Sequence, residues 1–247
     1  MVMKVLVVLV CLIATVPSEA ADKTNALPES AARTIVLVRH GNYLPNPDAD
    51  KRLGPGLSVL GVAQAQMAGA RLVGFPGGFD DLYVSPMQRA RDTAAAIAQE
   101  FPGRSFSVIE GLEECTPPTW RKEVADKEDP ASMAACKKQL DGVFDEYFKP
   151  AQGKPRTAMM VCHGNVIRYL VTRALGVDTK SWLEMSPGHA SITRIRVEAD
   201  GRFKVLSVGD VGHIPANMRT GSTGDADRDL AAPALPLQSA NPSTPVR

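Results

Sequence analysis

The sequence predicts an α/β fold built on a mostly parallel central sheet, and three observations support this prediction. Short apolar runs recur without polar alternation, which is typical of strands that are buried on both faces. Segments with a helical spacing of apolar residues separate these runs. Two of the runs end in the same dipeptide, His-Gly, at residues 40–41 and 163–164. Because ligands of parallel sheets bind outside the carboxyl ends of the strands, the two histidines mark a candidate site. For His40 alone, a hydrogen-bonded structural histidine at a strand end is the alternative.

The first twenty residues are predicted to form a cleavable secretory signal. Lys4 precedes an apolar stretch from Val5 to Val16, and the small residues before Ala20 are typical of a cleavage site. The apolar stretch is shorter than the about 20 residues that a membrane span needs. We therefore expect cleavage after Ala20, a periplasmic or secreted mature protein and no stable membrane anchor after cleavage. An uncleaved N-terminal anchor is the alternative.

The charge balance argues against a nucleic-acid partner. The chain has 28 Lys and Arg residues against 27 Asp and Glu, and aromatic residues make up 5% of it. A nucleic-acid interface needs a basic surface and often stacking aromatic side chains. We therefore expect no nucleic-acid partner, and any affinity for phosphate must come from a few residues at one place.

One globular domain is expected over residues 34–215. Residues 21–33 are small and polar and are predicted to be a flexible leader. Residues 216–247 are rich in Ala, Pro, Ser and Asp with few large apolar side chains, and they are predicted to be a disordered C-terminal tail. The apolar runs predict strands at 34–38, 81–84, 106–109, 157–162, 191–197 and 203–208.

The first helix is predicted from its cap and its apolar spacing. Ser58 is a favourable N-cap residue, and the glycine-rich stretch from Gly74 ends the helix. The side chains expected to face the sheet recur at spacings of three and four, and they are Leu60, Ala63, Met67 and Ala70.

The second helix is predicted to begin at Ser85-Pro86, a capping serine followed by proline at the first helical position, and to end near Glu100. Arg89 lies in its first turn, where free backbone N–H groups already favour an anion. The segment therefore indicates a phosphate-sized site, with a solvated surface arginine as the alternative.

A flap over the site is predicted for residues 115–129, which are Pro-rich, charged and too long for a simple turn. Trp120 within it either binds a partner or anchors the loop to the protein body. Cys115 and Cys136 are predicted to form a disulfide, because secreted proteins fold in an oxidising compartment and Cys162 is expected to be buried. Two free thiols are the alternative, since a sequence contains no distances.

The last elements complete the sheet. A helix is predicted from Asp129-Pro130 to Tyr147, and a further helix has Asn165 as its cap and Gly176 as its C-terminal stop. Asp200-Gly201 lies between two β-prone runs and predicts a hairpin that closes one side of the sheet.

Four motifs in this order resemble those of the histidine phosphatase (phosphoglycerate-mutase-like) superfamily. They are Arg39-His40-Gly41, Ser85-Pro86-Met87-Gln88-Arg89-Ala90, Leu112-Glu113-Glu114 and His163-Gly164-Asn165. Four further segments are Cys162-His163-Gly164-Asn165-Val166-Ile167-Arg168-Tyr169, Trp182-Leu183, Ser191-Ile192-Thr193 and Gly209-Asp210. With them the sequence resembles most, within this superfamily, the phosphoglycerate-mutase-like serine/threonine phosphatases of mitochondria. The resemblance implies a three-layer α/β/α sandwich, which agrees with the order of strands and helices.

The resemblance also implies a metal-independent phosphomonoester hydrolase without a cofactor. His40 would be the nucleophile that forms a phosphohistidine, because a neutral imidazole is not repelled by an anionic substrate. Glu114, rather than its neighbour Glu113, would be the general acid and base. The residues expected to bind the phosphate group are Arg39, Asn42, Arg89, His163 and Gly164.

Two alternatives to hydrolysis stay open. A mutase would use the same pocket but would need a second anion site, whereas the flap carries only Arg121, Lys122 and Lys127 as cations. The second alternative is a secreted binding protein that has the same fold but no catalytic turnover. The substrate is either a phosphorylated small molecule or a phosphoprotein, and the sequence does not indicate an oligomeric state. His189 and His213 stand where the mitochondrial group usually has other residues, so its partners are not carried over.

Overall fold

The structure, a computed structural model, describes residues 29–222 of the chain. The signal predicted over residues 1–20 and most of the predicted leader lie outside the described residues. Within the described part, no helix is both long and apolar enough to cross a membrane.

Six strands form the central sheet, and two more form a small separate pair. In chain order the strands are β1 (Ser30–Ala31), β2 (Arg33–Arg39), β3 (Asp81–Val84), β4 (Ser107–Val108), β5 (Ala151–Gln152), β6 (Arg156–Cys162), β7 (Ile192–Val197) and β8 (Phe203–Asp210). The sheet order is β4-β3-β6-β2-β7-β8. The first four strands are mutually parallel, and β7 and β8 add the predicted antiparallel hairpin. β1 pairs with β5, so the end of the predicted leader is ordered.

Helices cover both faces of this sheet. They are α1 (Val59–Val73), α2 (Gln88–Ala98), α3 (Lys122–Ala125), α4 (Pro130–Tyr147) and α5 (Gly164–Leu175), with 3₁₀ segments at Glu110–Leu112, Thr179–Glu184 and Ala216–Met218. Helices α1 and α2 pack on one face, and α4 and α5 pack on the other. The three-layer α/β/α prediction is therefore confirmed.

The central strand β2 shows why both faces must be covered. Val36 and Val38 pack towards α1 and α2, while Ile35 and Leu37 pack towards α4 and α5. All four side chains are fully buried. Since burial of one such side chain contributes about 1.5–3 kcal/mol, the lack of polar alternation in this run reflects a strand that is apolar on both sides.

The buried face of α1 differs from the predicted one. The predicted stripe is only partly buried or exposed, and the inward residues are Gly61, Gln64, Ala65, Ala68, Gly69 and Leu72. The reason is the close approach of the helix to the chain after β2. A Cβ on Gly61 would lie 1.9 Å from the Asn42 carbonyl oxygen, and one on Gly41 would lie 2.4 Å from the Gly61 oxygen. This contact turns the glycine and glutamine side of the helix inward, while Ser58 caps it as predicted.

Two helices begin later than predicted or with a different cap. α2 starts at Gln88 with Met87 at the N-cap, and the Ser85 hydroxyl contacts a histidine as well as accepting the Met87 N–H at 3.3 Å. α5 has His163 at its N-cap position rather than Asn165, and ends at Gly176 as predicted, where φ is +68°.

The first part of the flap is fastened by a disulfide and by a buried tryptophan. The predicted Cys115–Cys136 disulfide is present and joins the flap to α4, while Cys162 is a free, buried thiol. Trp182, which is not part of the flap, anchors it. The Trp182 side chain is 1% exposed, and its indole Nε1 donates to the carbonyl oxygens of Pro117 and Pro118 at 3.2 and 3.1 Å. Trp120 is 57% exposed, so the anchoring role considered for it belongs to Trp182.

The C-terminal boundary lies further along the chain than predicted. Residues 216–222, expected to belong to a disordered tail, form a 3₁₀ turn followed by a segment in which the Thr220 side chain is buried. This segment is held in place because it packs against the candidate site. The rest of the predicted tail lies outside the described residues.

Candidate active site

The carboxyl ends of the four parallel strands bring the predicted site residues together at one edge. β2 and β6 pair in parallel with Arg39 opposite Cys162, so His40 and His163 leave the sheet side by side. Their ring centroids are 5.1 Å apart. Arg89 arrives on the first turn of α2 after β3, and Glu114 arrives after β4 and its 3₁₀ turn.

His40 is held in one orientation and one tautomer. Its Nδ1 lies 2.8 Å from the carbonyl oxygen of Gly41, which can only accept a hydrogen bond. Nδ1 therefore carries the proton, and Nε2 keeps its lone pair. Arg89 Nε donates to this Nε2 at 3.2 Å. The ring is 3% exposed, so one nitrogen is fixed and the other faces the pocket.

The surroundings of His40 keep it neutral. Burial lowers its pKa well below the usual value, and the neighbouring His163 and Arg89 lower the pKa further. A ring that stays neutral near pH 7 is available as a nucleophile.

His163 is fully buried between a hydroxyl and a carboxylate. Its Nε2 lies 2.7 Å from Ser85 Oγ, and its Nδ1 lies 3.6 Å from Glu114 Oε2. Burial, followed by the charges of Arg89 and Arg39, lowers the pKa of His163 well below its ordinary value. His163 is therefore neutral in this structure, whereas the role considered for it as an extra donor assumes a protonated ring.

Glu114 is the glutamate that faces the site. Its Oε1 accepts a hydrogen bond from the backbone N–H of Asn165 at 3.0 Å, at the start of α5, and its other oxygen points to His163. Its side chain is 22% exposed, so the carboxyl group still reaches solvent. Glu113 instead gives its backbone carbonyl to Gln139 on α4.

The Arg39 guanidinium is fixed by residues far along the chain. Its NH1 group donates to the carbonyl oxygens of Pro187 and Gly221 at 2.6 and 2.7 Å, and its NH2 group lies 3.2 Å from His189 Nε2. It also lies over Gly164, where a Cβ would be 3.3 Å from Arg39 Nε. Sequence reasoning placed Arg39 and Gly164 in the site but missed the other three. The only available signal was that His189 departs from the pattern of the mitochondrial group.

Asn42 and Tyr43 line the site from the loop after β2. The Asn42 side chain accepts a hydrogen bond from the Ser58 hydroxyl at 2.6 Å, so it braces the start of α1. The ring of Tyr43 lies 5.5 Å from His40, and the Arg89 guanidinium carbon lies 5.2 Å from the Tyr43 ring centroid. Such a cation–π contact contributes about 0.5–2 kcal/mol and holds Arg89 beside His40.

The donors around His40 suit an anion. Within residues 29–222, no group of three or more His, Cys, Asp or Glu side chains is placed to hold a metal ion. Two guanidinium groups, each with several N–H donors in a planar fork, converge on the pocket and match the oxygens of a phosphoryl group.

The histidines predict how stability depends on pH. Burial lowers the pKa of all four, to about 2 for His189. The unfolded chain takes up these protons near pH 6.5, so below that pH it binds more protons than the folded protein and the free energy of unfolding falls. Each ring contributes up to about 1.4 kcal/mol per pH unit. Urea unfolding at pH 7.5, 6.5 and 5.5 should show this loss, and a flat profile would contradict the assigned neutral state.

Comparison with known proteins identifies the family of the chain. The family model described as "Histidine phosphatase superfamily (branch 1)" matches residues 35–141 and 117–211. The mitochondrial serine/threonine-protein phosphatase Pgam5 of Caenorhabditis elegans is 34% identical over 196 residues, which cover 76% of this chain and 66% of the relative. Its counterpart in Drosophila erecta is 33% identical over 212 residues, covering 82% of this chain and 73% of the relative.

A solved structure supports the same conclusion. The phosphoglycerate mutase of Plasmodium falciparum superposes with a TM-score of 0.52 at 25% identity, covering 75% of this chain and 96% of the mutase. This chain spans about two thirds of the length of the worm Pgam5 protein, 66%, so the activity of that whole protein is not transferred with the family.

The comparison contradicts the predicted periplasmic or secreted location. The matched relatives are named as mitochondrial proteins, which points away from export. The wrong prediction rested on residues 1–20 alone, whereas the comparison rests on the folded domain, and the relatives give the predicted signal no support.

The matched segments contain all four sequence motifs that resembled a known family, and the sheet edge gathers these motifs into one pocket. Family match, identity and fold agree. The chain belongs to the histidine phosphatase superfamily, branch 1.

Proposed function

We propose that the protein hydrolyses phosphomonoesters through a phosphohistidine on His40. The observation that carries this proposal is the neutral His40 ring, with Nδ1–H held by the Gly41 carbonyl and Nε2 beside the Arg89 guanidinium. A buried imidazole with one fixed proton and one directed lone pair is suited to attack on phosphorus. The mitochondrial relatives are named serine/threonine-protein phosphatases, which supports the same reaction class.

The first half-reaction transfers the phosphoryl group to the enzyme. His40 Nε2 forms a bond to phosphorus while the bond from phosphorus to the leaving oxygen breaks. Glu114, as a carboxylic acid, gives its proton to that oxygen, and the alcohol departs. In the second half-reaction the Glu114 carboxylate takes a proton from water, whose oxygen attacks phosphorus. The P–N bond breaks, its electron pair returns to Nε2, and inorganic phosphate leaves.

Arg89 has to change partner during this reaction. In the structure its Nε donates to the nitrogen that attacks phosphorus. A phosphoryl oxygen is a stronger acceptor for the guanidinium than the neutral imidazole nitrogen, because the oxygen carries negative charge and adds Coulomb attraction to the hydrogen bond. The substrate therefore draws Arg89 towards the phosphoryl group and uncovers Nε2 at the same time. Arg39 supplies the second fork, and both guanidinium groups stabilise charge in the transition state.

Hydrolysis fits the flap better than mutase activity does. A mutase needs cations for a second anion, and the flap holds three candidates. One of them, Arg121, is committed to a bidentate pair with Glu184 at 3.0 and 3.1 Å and lies 3.5 Å from Glu123. An enzyme is also favoured over a binding protein without turnover, because one pocket contains all five groups predicted for catalysis. These are His40, Glu114, Arg39, Arg89 and His163. As substrate we propose a phosphoprotein, from the names of the relatives, with a small phosphorylated molecule as the second candidate.

The mechanism predicts turnover of an aryl phosphate without a divalent metal, because the two arginines supply the positive field and the donors. We expect p-nitrophenyl phosphate hydrolysis to be unchanged by EDTA, and orthovanadate, which mimics the five-coordinate phosphoryl group, to inhibit it. The control is a known magnesium-dependent phosphatase assayed in the same buffers. Activity that disappears on chelation and returns with added metal would contradict the mechanism.

A further inference from the structure

His189 is a third imidazole in the pocket, and the proposed mechanism gives it no task. The ring is fully buried, with its centroid 5.4 Å from that of His40. One ring nitrogen, Nε2, lies 3.2 Å from the NH2 group of Arg39, and the other, Nδ1, lies 2.9 Å from Thr220 Oγ1. The ring therefore joins a phosphate-binding arginine to the C-terminal segment.

The two contacts assign the tautomer of His189. A guanidinium group only donates, so Nε2 must accept. Nδ1 then carries the proton and donates to the Thr220 hydroxyl oxygen. Burial, followed by the charges of Arg39 and Arg89, lowers the pKa of His189 to about 2, so the ring stays neutral in ordinary buffers.

A buried glutamine on α1 is compatible with this tautomer and holds the Thr220 side chain in place. Gln64 Oε1 accepts the backbone N–H of Asn42 at 2.8 Å, which fixes the orientation of the amide. Its Nε2 then donates to the Met218 carbonyl at 2.6 Å and to Thr220 Oγ1 at 3.0 Å. The Thr220 oxygen is thereby held where it accepts the Nδ1 proton of His189.

The residue after Thr220 closes the arrangement. Gly221 has φ of +76°, and its carbonyl accepts from Arg39. A Cβ at this position would lie 2.7 Å from His189 Nδ1 and 2.9 Å from Arg39 NH1. The contact leaves no room for a side chain, so the guanidinium and imidazole are confined on this side.

We propose that His189 is a positioning residue that, as a hydrogen-bond acceptor, holds the Arg39 guanidinium in its phosphate-binding orientation. This inference rests on the proposed function, because it assumes that Arg39 binds the phosphoryl group. An arginine loses rotamer freedom when it binds an anion, and a side chain that is already ordered loses less. His189 therefore acts on phosphate affinity, while His40 and Glu114 carry out the bond changes.

The test compares two substitutions that each keep one half of the imidazole. In His189→Gln the amide oxygen reaches the Nε2 position and still accepts from Arg39. In His189→Asn the shorter amide reaches the Nδ1 position and contacts Thr220 only. We expect His189→Asn to raise the Kd for inorganic phosphate and the KM for p-nitrophenyl phosphate at least about tenfold, as for loss of a hydrogen bond to a charged group. His189→Gln should bind phosphate markedly more tightly than His189→Asn, and kcat should change less than KM in both.

The control is His213→Gln, which replaces a partly buried histidine that contacts the Ala190 carbonyl. It should leave the Kd for phosphate unchanged. Equal Kd values for His189→Gln and His189→Asn, or an equal loss in His213→Gln, would overturn the inference. If the His189 variants do not fold, Thr220→Val removes the acceptor of the Nδ1 proton and should raise Kd; an unchanged Kd there would also overturn it.

Phosphate binding separates this inference from the proposed function. If the unaltered protein shows no turnover that depends on His40, the proposed function fails, but Kd values measured by calorimetry still compare the two His189 variants. If turnover is present and the two variants do not differ, only the role of His189 fails.

Discussion

Replacing His40 with alanine is expected to lower kcat for p-nitrophenyl phosphate by at least about 10⁴-fold, since loss of a nucleophile removes the covalent route altogether. The variant should still bind orthovanadate, although more weakly, because Arg39, Arg89 and His163 all remain. Steady-state kinetics and vanadate titration measure the two effects separately.

His40→Asn is the matched variant, because it fills part of the space that alanine leaves empty. Its amide N–H still donates to the Gly41 carbonyl at the Nδ1 position, but nothing replaces Nε2. We expect it to be as inactive as His40→Ala and closer to the unaltered protein in melting temperature. Near-normal turnover in either variant would exclude attack by His40. Rapid quenching with labelled substrate should find acid-labile phosphate on the unaltered protein and none on His40→Asn.

The second large effect is expected at Glu114. Glu114→Gln keeps an oxygen that accepts the Asn165 N–H, so the fold of the loop is preserved, but it removes the proton that the leaving oxygen needs. General acid catalysis contributes about 10²–10⁴-fold, and we expect kcat/KM for an alkyl phosphate to fall by that factor. An activated aryl phosphate needs little protonation of its leaving group, so its loss should be far smaller in the first step.

Glu113→Gln is the control for this experiment. Glu113 is the residue before Glu114, and it contacts Gln139 through its backbone carbonyl. It should leave kcat/KM unchanged for both substrates. The control experiment uses a series of phosphates with leaving-group pKa values from about 7 to 15. We expect kcat/KM to depend steeply on the leaving-group pKa for Glu114→Gln, and as in the unaltered protein for Glu113→Gln. Equal losses on all substrates for Glu114→Gln, or a leaving-group-dependent loss for Glu113→Gln, would overturn the assignment of the acid.

Much of the site could be predicted because its residues lie at the ends of continuous strands. An apolar run that ends in a histidine places that histidine at the edge of a parallel sheet, whatever the neighbouring strands are. This local rule located His40 and His163, and the four motifs added Arg89 and Glu114. The helix stop at Gly176 and the hairpin at Asp200-Gly201 are also local, since a few residues decide the backbone conformation there.

The disulfide was predicted only as one of two equal alternatives. Oxidation of the two cysteines was argued from a periplasmic or secreted location. The mitochondrial relatives contradict that location. The structure decides for the disulfide because α4 and the flap bring Cys115 and Cys136 to a Cα separation of 5.7 Å. That distance depends on how the helix packs, which a list of residues does not contain.

By itself the sequence determined the α/β class, the strand ends that carry the two histidines and the family resemblance, because these depend on patterns within single segments. Only the tertiary structure decided which face of α1 is buried, that Trp182 anchors the flap, and that His189 and Gly221 hold Arg39. Positions 189 and 221 lie 150 and 182 residues from Arg39 along the chain. Contacts over such separations form only when the whole sheet is assembled, since each is a single hydrogen bond that leaves no periodic pattern in the sequence.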